Sequence, residues 1–117
     1  MGELILTKHG NNANIKIHIL SDDEMVKAGF GKTCSGEWYK CVDLGCEISF
    51  NVTIYMDGDW RIDVLDEDFL QPYDYQALLE QDPHLGFAKK VKLIVDGEMG
   101  KLIKAGIVSG WKVGDYL

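Results

Sequence analysis

The chain has 117 residues, 46% hydrophobic and 26% charged, with two prolines and no low-complexity run. Such a composition describes one folded domain over 1–117, long enough to bury roughly two-thirds of its unfolded surface. A formal charge of −7 lacks the cationic footprint of direct nucleic-acid binding, and no apolar stretch nears the roughly 20 residues of a membrane-crossing helix.

The N-terminal MGELILTKHG has no basic region leading into an apolar core, so no signal peptide is expected. Position 6 is Leu where myristoylation wants Ser or Thr. A cytoplasmic protein is the expectation. Leu4, Ile5 and Leu6 read as a first strand that ends at Gly10-Asn11-Asn12. Ile15, Ile17 and Ile19 alternate with Lys16 and His18, which predicts a second strand, a first hairpin and a solvent-facing His18. Ser21-Asp22-Asp23-Glu24 is a capping box, and its helix should stop at Gly29 with Phe30 packing back.

Gly31-Lys32-Thr33 resembles the end of a phosphate-binding loop only superficially. Val26 stands where that loop needs its first glycine, and a helix rather than a strand precedes it. A third strand is predicted over 37–44, turning at Asp43-Leu44-Gly45. An even-to-even register would set Trp38 opposite Phe50, Lys40 opposite Ile48 and Val42 opposite Cys46.

The stretch 46–65, CEISFNVTIYMDGDWRIDVL, carries the strongest pattern. Ile48, Phe50, Val52, Ile54 and Met56 alternate with Ser49, Asn51, Thr53 and Tyr55, and Trp60, Ile62 and Val64 extend the apolar set. Parity requires a three-residue loop, Asp57-Gly58-Asp59, with Met56 opposite Trp60 and Ile54 opposite Ile62. Asn51-Val52-Thr53 matches a glycosylation sequon but lies inside this strand.

Beyond Leu65 the period becomes helical. Pro72 should open a helix running to Gln81, with Tyr75, Leu78 and Leu79 on its apolar face. Phe87, Val91, Ile94, Val95, Met99, Leu102 and Ile103 form the stripe of a long helix. Its lysines (Lys89, Lys90, Lys92, Lys101, Lys104) mostly take the other face, Gly97 and Gly100 interrupt it, and Gly106 caps it. Trp111, Val113, Tyr116 and Leu117 should dock the tail. The expected fold is therefore α+β: an antiparallel β-meander of about five strands with a long C-terminal helix and a shorter one packed on one face.

The chemistry-bearing residues support no catalytic or metal site. Cys34, Cys41 and Cys46 are an odd number at loose spacing, without a zinc-binding pair, and read as reduced thiols. Cys46 shares the parity of Ile48 and is expected to pack, whereas Cys34 lies in an exposed loop. The histidines at 9, 18 and 84 are scattered and bring no nucleophile elbow. Neither Asp57-Gly58-Asp59 nor Asp66-Glu67-Asp68 supplies the ligand offsets of a calcium loop. No cofactor is implied.

Charge and aromatic placement are more informative. Residues 57–82 hold nine acids against Arg61 alone, while 84–106 hold five lysines against Asp96 and Glu98. Tyrosine beside carboxylate suits an interface. The expectation is a non-catalytic protein-binding module, of an inhibitor, immunity-like or mobile-element accessory kind. Its surface would comprise Tyr55, Asp57, Asp59, Asp63, Asp66, Glu67, Asp68, Tyr73 and Asp74 and would meet a basic protein surface. One alternative is a small enzyme or ligand-binding domain with its pocket between sheet and helix, near His84 and Cys34. Another is a homo-oligomer, a homodimer at its simplest, joined through a sheet face or edge.

Overall fold

A computed structural model describes residues 14–117. The strand expected at Leu4–Leu6, its following turn and His9 lie outside the described residues. In chain order the elements are β1 (Lys16–Ile17), α1 (Asp22–Lys27), β2 (Gly31–Lys32), β3 (Trp38–Gly45), β4 (Ile48–Ile54) and β5 (Trp60–Asp66). They continue with β6 (Gln71–Pro72), α2 (Tyr75–Gln81), α3 (Gly86–Ala105) and β7 (Val108–Ser109). Strands β2 to β6 form one antiparallel sheet in sequential order, and β1 pairs with β7. The fold is α+β, a five-stranded meander with long α3 and short α2. Its membership differs from the expectation. The strand at 15–19 pairs with the far end of the chain, and the two sheet edges are two-residue strands without a periodic pattern of their own.

The capping box forms at the start of α1. The Glu24 N–H donates to Ser21 Oγ at 3.3 Å, and the Ser21 hydroxyl donates to the Glu24 carboxylate at 2.8 Å. Gly29 takes a left-handed φ of 99°, and the Phe30 N–H reaches back to the Met25 carbonyl at 3.1 Å. That closure seats Phe30 and Met25 in the core.

Both hairpins keep the expected faces and change register. Between β3 and β4, Trp38 faces Ile54, Lys40 faces Val52 and Val42 faces Phe50. The strand continues past Asp43 because Leu44 is needed in the core, and the reversal falls on Cys46 and Glu47, at φ 52° and 62°. Two consecutive left-handed residues make a turn that matches strand twist. Cys46 therefore sits exposed at the tip, not packed.

Between β4 and β5 the three-residue loop is Met56-Asp57-Gly58, one residue earlier than expected. The Tyr55 N–H donates to the Asp59 carbonyl at 2.8 Å, and Ile54 faces Trp60. The third residue of such a loop is left-handed, and this placement puts Gly58 there, at φ 88°. Met56 leaves the core and is 76% exposed.

Pro72 does not open a helix. It lies in edge strand β6 opposite Leu65, where its missing N–H costs no ladder bond. The helix starts three residues later because Asp74 caps it, accepting from the Ala77 N–H at 3.0 Å. Tyr75 is buried in the core, with Leu78 and Leu79 packed at its margin. Helix α3 presents Ala88, Val91, Val95, Met99 and Leu102 to the sheet, flanked by Phe87 and Ile94, while Ile103 lies at the exposed margin. Gly106 at φ 86° caps it. The tail docks through Trp111 and through the Leu117 N–H, which donates to the Tyr75 hydroxyl at 3.1 Å; Val113 stays exposed.

Among the described residues Lys40 is the one charged side chain buried in the core. Its ammonium donates to the Ala28 carbonyl at the end of α1 (2.8 Å) and pairs with Glu98 of α3 (3.2 Å). Burial pushes the Glu98 carboxyl up, but hydrogen bonds from Lys40 and Lys101 outweigh it and hold the group below its ordinary pKa. A depressed carboxylate pKa contributes stability that is present above the unfolded value and is lost as pH falls through the folded one. Glu98→Gln is therefore expected to cost about 2–4 kcal/mol at neutral pH by removing the charge that balances buried Lys40. In urea titrations that difference should shrink below about pH 4.5, the ordinary carboxyl value, as wild-type Glu98 takes up its proton.

Nothing lies within 4 Å of a β-carbon built on Gly97 or Gly100, so neither glycine serves a close backbone approach. Gly97→Ala should stabilise the protein by about 0.5–1 kcal/mol, read from the urea midpoint at constant slope.

Candidate functional site

The nine residues nominated for a binding surface do not form one patch. Tyr55, Asp57 and Asp59 occupy the β4–β5 loop at one end of the long strands. Asp66, Glu67 and Asp68 follow β5 at the other end, beside the β3–β4 turn, where the Glu67 N–H donates to the Glu47 carbonyl at 2.9 Å. A seven-residue strand separates the groups by roughly 20 Å. Asp63 lies between them on the outer face of the sheet. Tyr73 packs edge-on against Phe87, with ring centroids 5.9 Å apart. Its phenol is pushed up by burial and by the neighbouring Cys46 and Asp66.

Most of the acids are occupied by their own backbone. Asp57 accepts from the Asp59 N–H and Asp59 from the Trp60 N–H, both at 2.9 Å. Asp74 caps α2. Asp66 accepts from the N–H groups of Asp68 (3.0 Å) and Phe69 (3.2 Å). Asp63 pairs with Arg61 at 2.7 Å. These carboxylates shape turns. Among the nominated acids, Glu67 and Asp68 alone make no side-chain bond to the described residues.

Phe69 and Leu70 follow directly, 74% and 78% exposed, and sequence reasoning did not nominate them. Leu70 also has a φ of 53°, a left-handed conformation that costs a non-glycine residue roughly 1–2 kcal/mol. The Asp66 side chain and the Glu67–Glu47 bond hold the loop as far as Phe69, and β6 begins directly after Leu70. Glu67, Asp68, Phe69 and Leu70 thus form a held tip with two exposed carboxylates that make no side-chain bond among the described residues and two exposed apolar side chains. The sequence signal was present: Phe69-Leu70 falls between the strand period and the helix period and serves neither face.

The outer face of the sheet carries a polar network. The Tyr39 hydroxyl donates to Asn51 Oδ1 at 2.8 Å, and Asn51 Nδ2 donates to Ser49 (2.9 Å) and Asp63 (3.4 Å). Burial first, then Cys41, Glu67 and Asp63, push the Tyr39 phenol up to about 12. The groups satisfy one another, as expected of a solvated sheet face. The two edges are short, and one contains Pro72, a geometry that discourages strand addition.

Cys34 lies in the β2–β3 loop, whose Gly36 adjoins Met56, and His84 lies beside the start of α3 at the opposite end of the sheet. The structure does not bring them together, and an apolar core fills the layer between sheet and α3. Among the described residues no cluster of three His, Cys, Asp or Glu side chains has metal-binding geometry, and no helix is long and apolar enough to cross a membrane.

No protein-family model matches the sequence, and no curated protein matches it. Among solved structures the chain is similar to a DUF1831 family protein from Lactobacillus plantarum, determined at 1.20 Å. The match has a TM-score of 0.57 and 11% identity, covering 84% of this chain and 89% of that one. At that identity it shows the fold alone.

The strain at position 70 can be measured. Leu70→Asn places a residue that tolerates the left-handed region and should stabilise the protein by up to about 1 kcal/mol in urea titrations.

Proposed function

We propose that this protein is a small non-catalytic binding module that contacts a basic protein partner through the 67–70 tip. One observation carries the reading. A bulky apolar residue occupies a left-handed position where Asn or Gly costs less, and its side chain is 78% exposed. Strain kept at a solvated apolar side chain contributes nothing to the core, so a contact outside the monomer accounts for it. Exposed Phe and Leu supply the desolvated centre of a contact, and Glu67 and Asp68 supply the polar rim that steers a cationic partner. The acidic surface expected over the whole of 57–82 narrows to this end of the molecule.

Tagged wild-type protein and the variants Phe69→Ser/Leu70→Asn and Asp57→Asn/Asp59→Asn should be compared in affinity capture at low and high salt. The reading expects a basic protein recovered at low salt, lost with the tip variant and retained with the loop variant. Equal recovery with all three proteins would overturn it.

A further inference from the structure

A second surface complements the tip. Where α1 meets the C-terminal turns of α3, a cleft of about 450 Å³ is lined by Leu20, Ala28, Leu102 and Ala105, with Lys27, Lys101 and Lys104 on its rim. Glu24, the acid at this rim, is engaged by Ser21 at 2.8 Å. Lys101 pairs with Glu98, whereas Lys27 and Lys104 have no carboxylate partner among the described residues. In a chain of net charge −7, this is an apolar floor rimmed by three lysines against the single carboxylate of Glu24.

The cleft and the tip sit at opposite ends of α3. The tip adjoins the β3–β4 turn, where a β-carbon at Gly45 would lie 3.8–3.9 Å from Lys90 and Phe87 in the first turns of that helix. The cleft uses its last turns. Twenty residues of helix span about 30 Å, so the tip cannot reach its own cleft.

We infer that the 67–70 tip of one molecule seats in the Lys27/Lys101/Lys104 cleft of a second copy, so that the chain assembles head to tail. The inference rests on the binding role of the tip and adds a partner. Phe69 and Leu70 cover the apolar floor, and Glu67 and Asp68 meet Lys27 and Lys104. The two surfaces differ, so the contact does not close on itself as a two-fold dimer would, and each added molecule presents a fresh tip. A contact of this size belongs to the weak class. Association should appear at about 0.1–1 mM protein and fade as salt rises from about 0.05 to about 0.5 M.

Sedimentation equilibrium tests this on the intact chain. Wild-type mass should rise with concentration past that of a dimer and fall at high salt. Phe69→Asp/Leu70→Asp should be monomeric, as should Lys27→Glu/Lys104→Glu. An equimolar mixture of the two variants should form dimers and stop there, because one retains a working cleft and the other a working tip. If the lysine variant fails to fold, Ala105→Tyr fills the cleft from an exposed position and serves instead. A monomeric wild type at low salt and about 1 mM, or a mixture that remains monomeric, would overturn the assembly. Capture of a basic protein, rather than a second copy of this acidic chain, through the tip would then leave the binding role standing. Self-association that survives the tip variant would overturn the head-to-tail contact, and unchanged capture by that variant would remove the binding role as well.

Discussion

Both long hairpins pair even-numbered residues with even-numbered residues, and the rest of the molecule depends on that parity. It puts Trp38 and Val42 of β3, Ile48, Phe50, Val52 and Ile54 of β4, and Trp60, Ile62 and Val64 of β5 on one face. A slip of one residue in either pairing would turn Asn51 and Asp63, or Tyr39 and Cys41, into the core. Helix α3 answers this face with Val91, Val95, Met99 and Leu102. Burial on both sides of that layer supplies the driving force, and the edge strands and the tail are fastened around it.

One buried even position carries a charge. Lys40 faces inward, and an unpaired buried ammonium would be costly. Its stem packs with the core while its head reaches Ala28 and Glu98, so a single side chain ties the end of α1 to the middle of α3 through the sheet. Gly29 belongs to the same arrangement, because a β-carbon there would come within 3.2 Å of the Lys40 side chain. The left-handed turn that ends α1 and the clearance for the lysine therefore make one demand on position 29. Short α1, too brief to hold itself together in isolation, is fixed by Met25 and Phe30 in the core and by this contact.

Period in the sequence reveals faces; it does not reveal offsets. Ile48 through Ile54 show which side of β4 is buried, yet every even offset satisfies that pattern equally. The first register accordingly moved by four residues and the second loop by one without changing any face except at Met56 and Cys46, where strand gave way to turn. Leu44 and Gly58 decided the outcome, through burial of the first and the left-handed geometry of the second. Leu44 continues the even alternation of β3 but falls within the turn-rich Asp43-Leu44-Gly45, and Gly58 is not a periodic signal at all. Edge strands of two residues contain no period at all, so β2, β6 and β7 were illegible, and Pro72 was drawn toward a helix that Asp74 starts instead. The acids of the proposed surface were legible as charge only. Their engagement with backbone N–H groups depends on turn geometry, which charge counting does not sense.

The tip draws on three separate parts of this architecture. Strand β5 places Asp66 at the end of the sheet, and the Asp66 carboxylate then fixes the backbone of Asp68 and Phe69. The neighbouring turn at Cys46 and Glu47 exists because Leu44 extends β3, and it supplies the carbonyl that receives the Glu67 N–H. Edge strand β6 starts at Gln71, immediately after Leu70, and anchors the exit of the loop. Leu70 is thus held from both sides in a conformation it would not choose, with its side chain in water. The core requires the anchors on either side but has no use for the two apolar side chains between them. Stability therefore explains the frame of the loop, whereas the two apolar side chains that the frame displays are what the proposed contact would use.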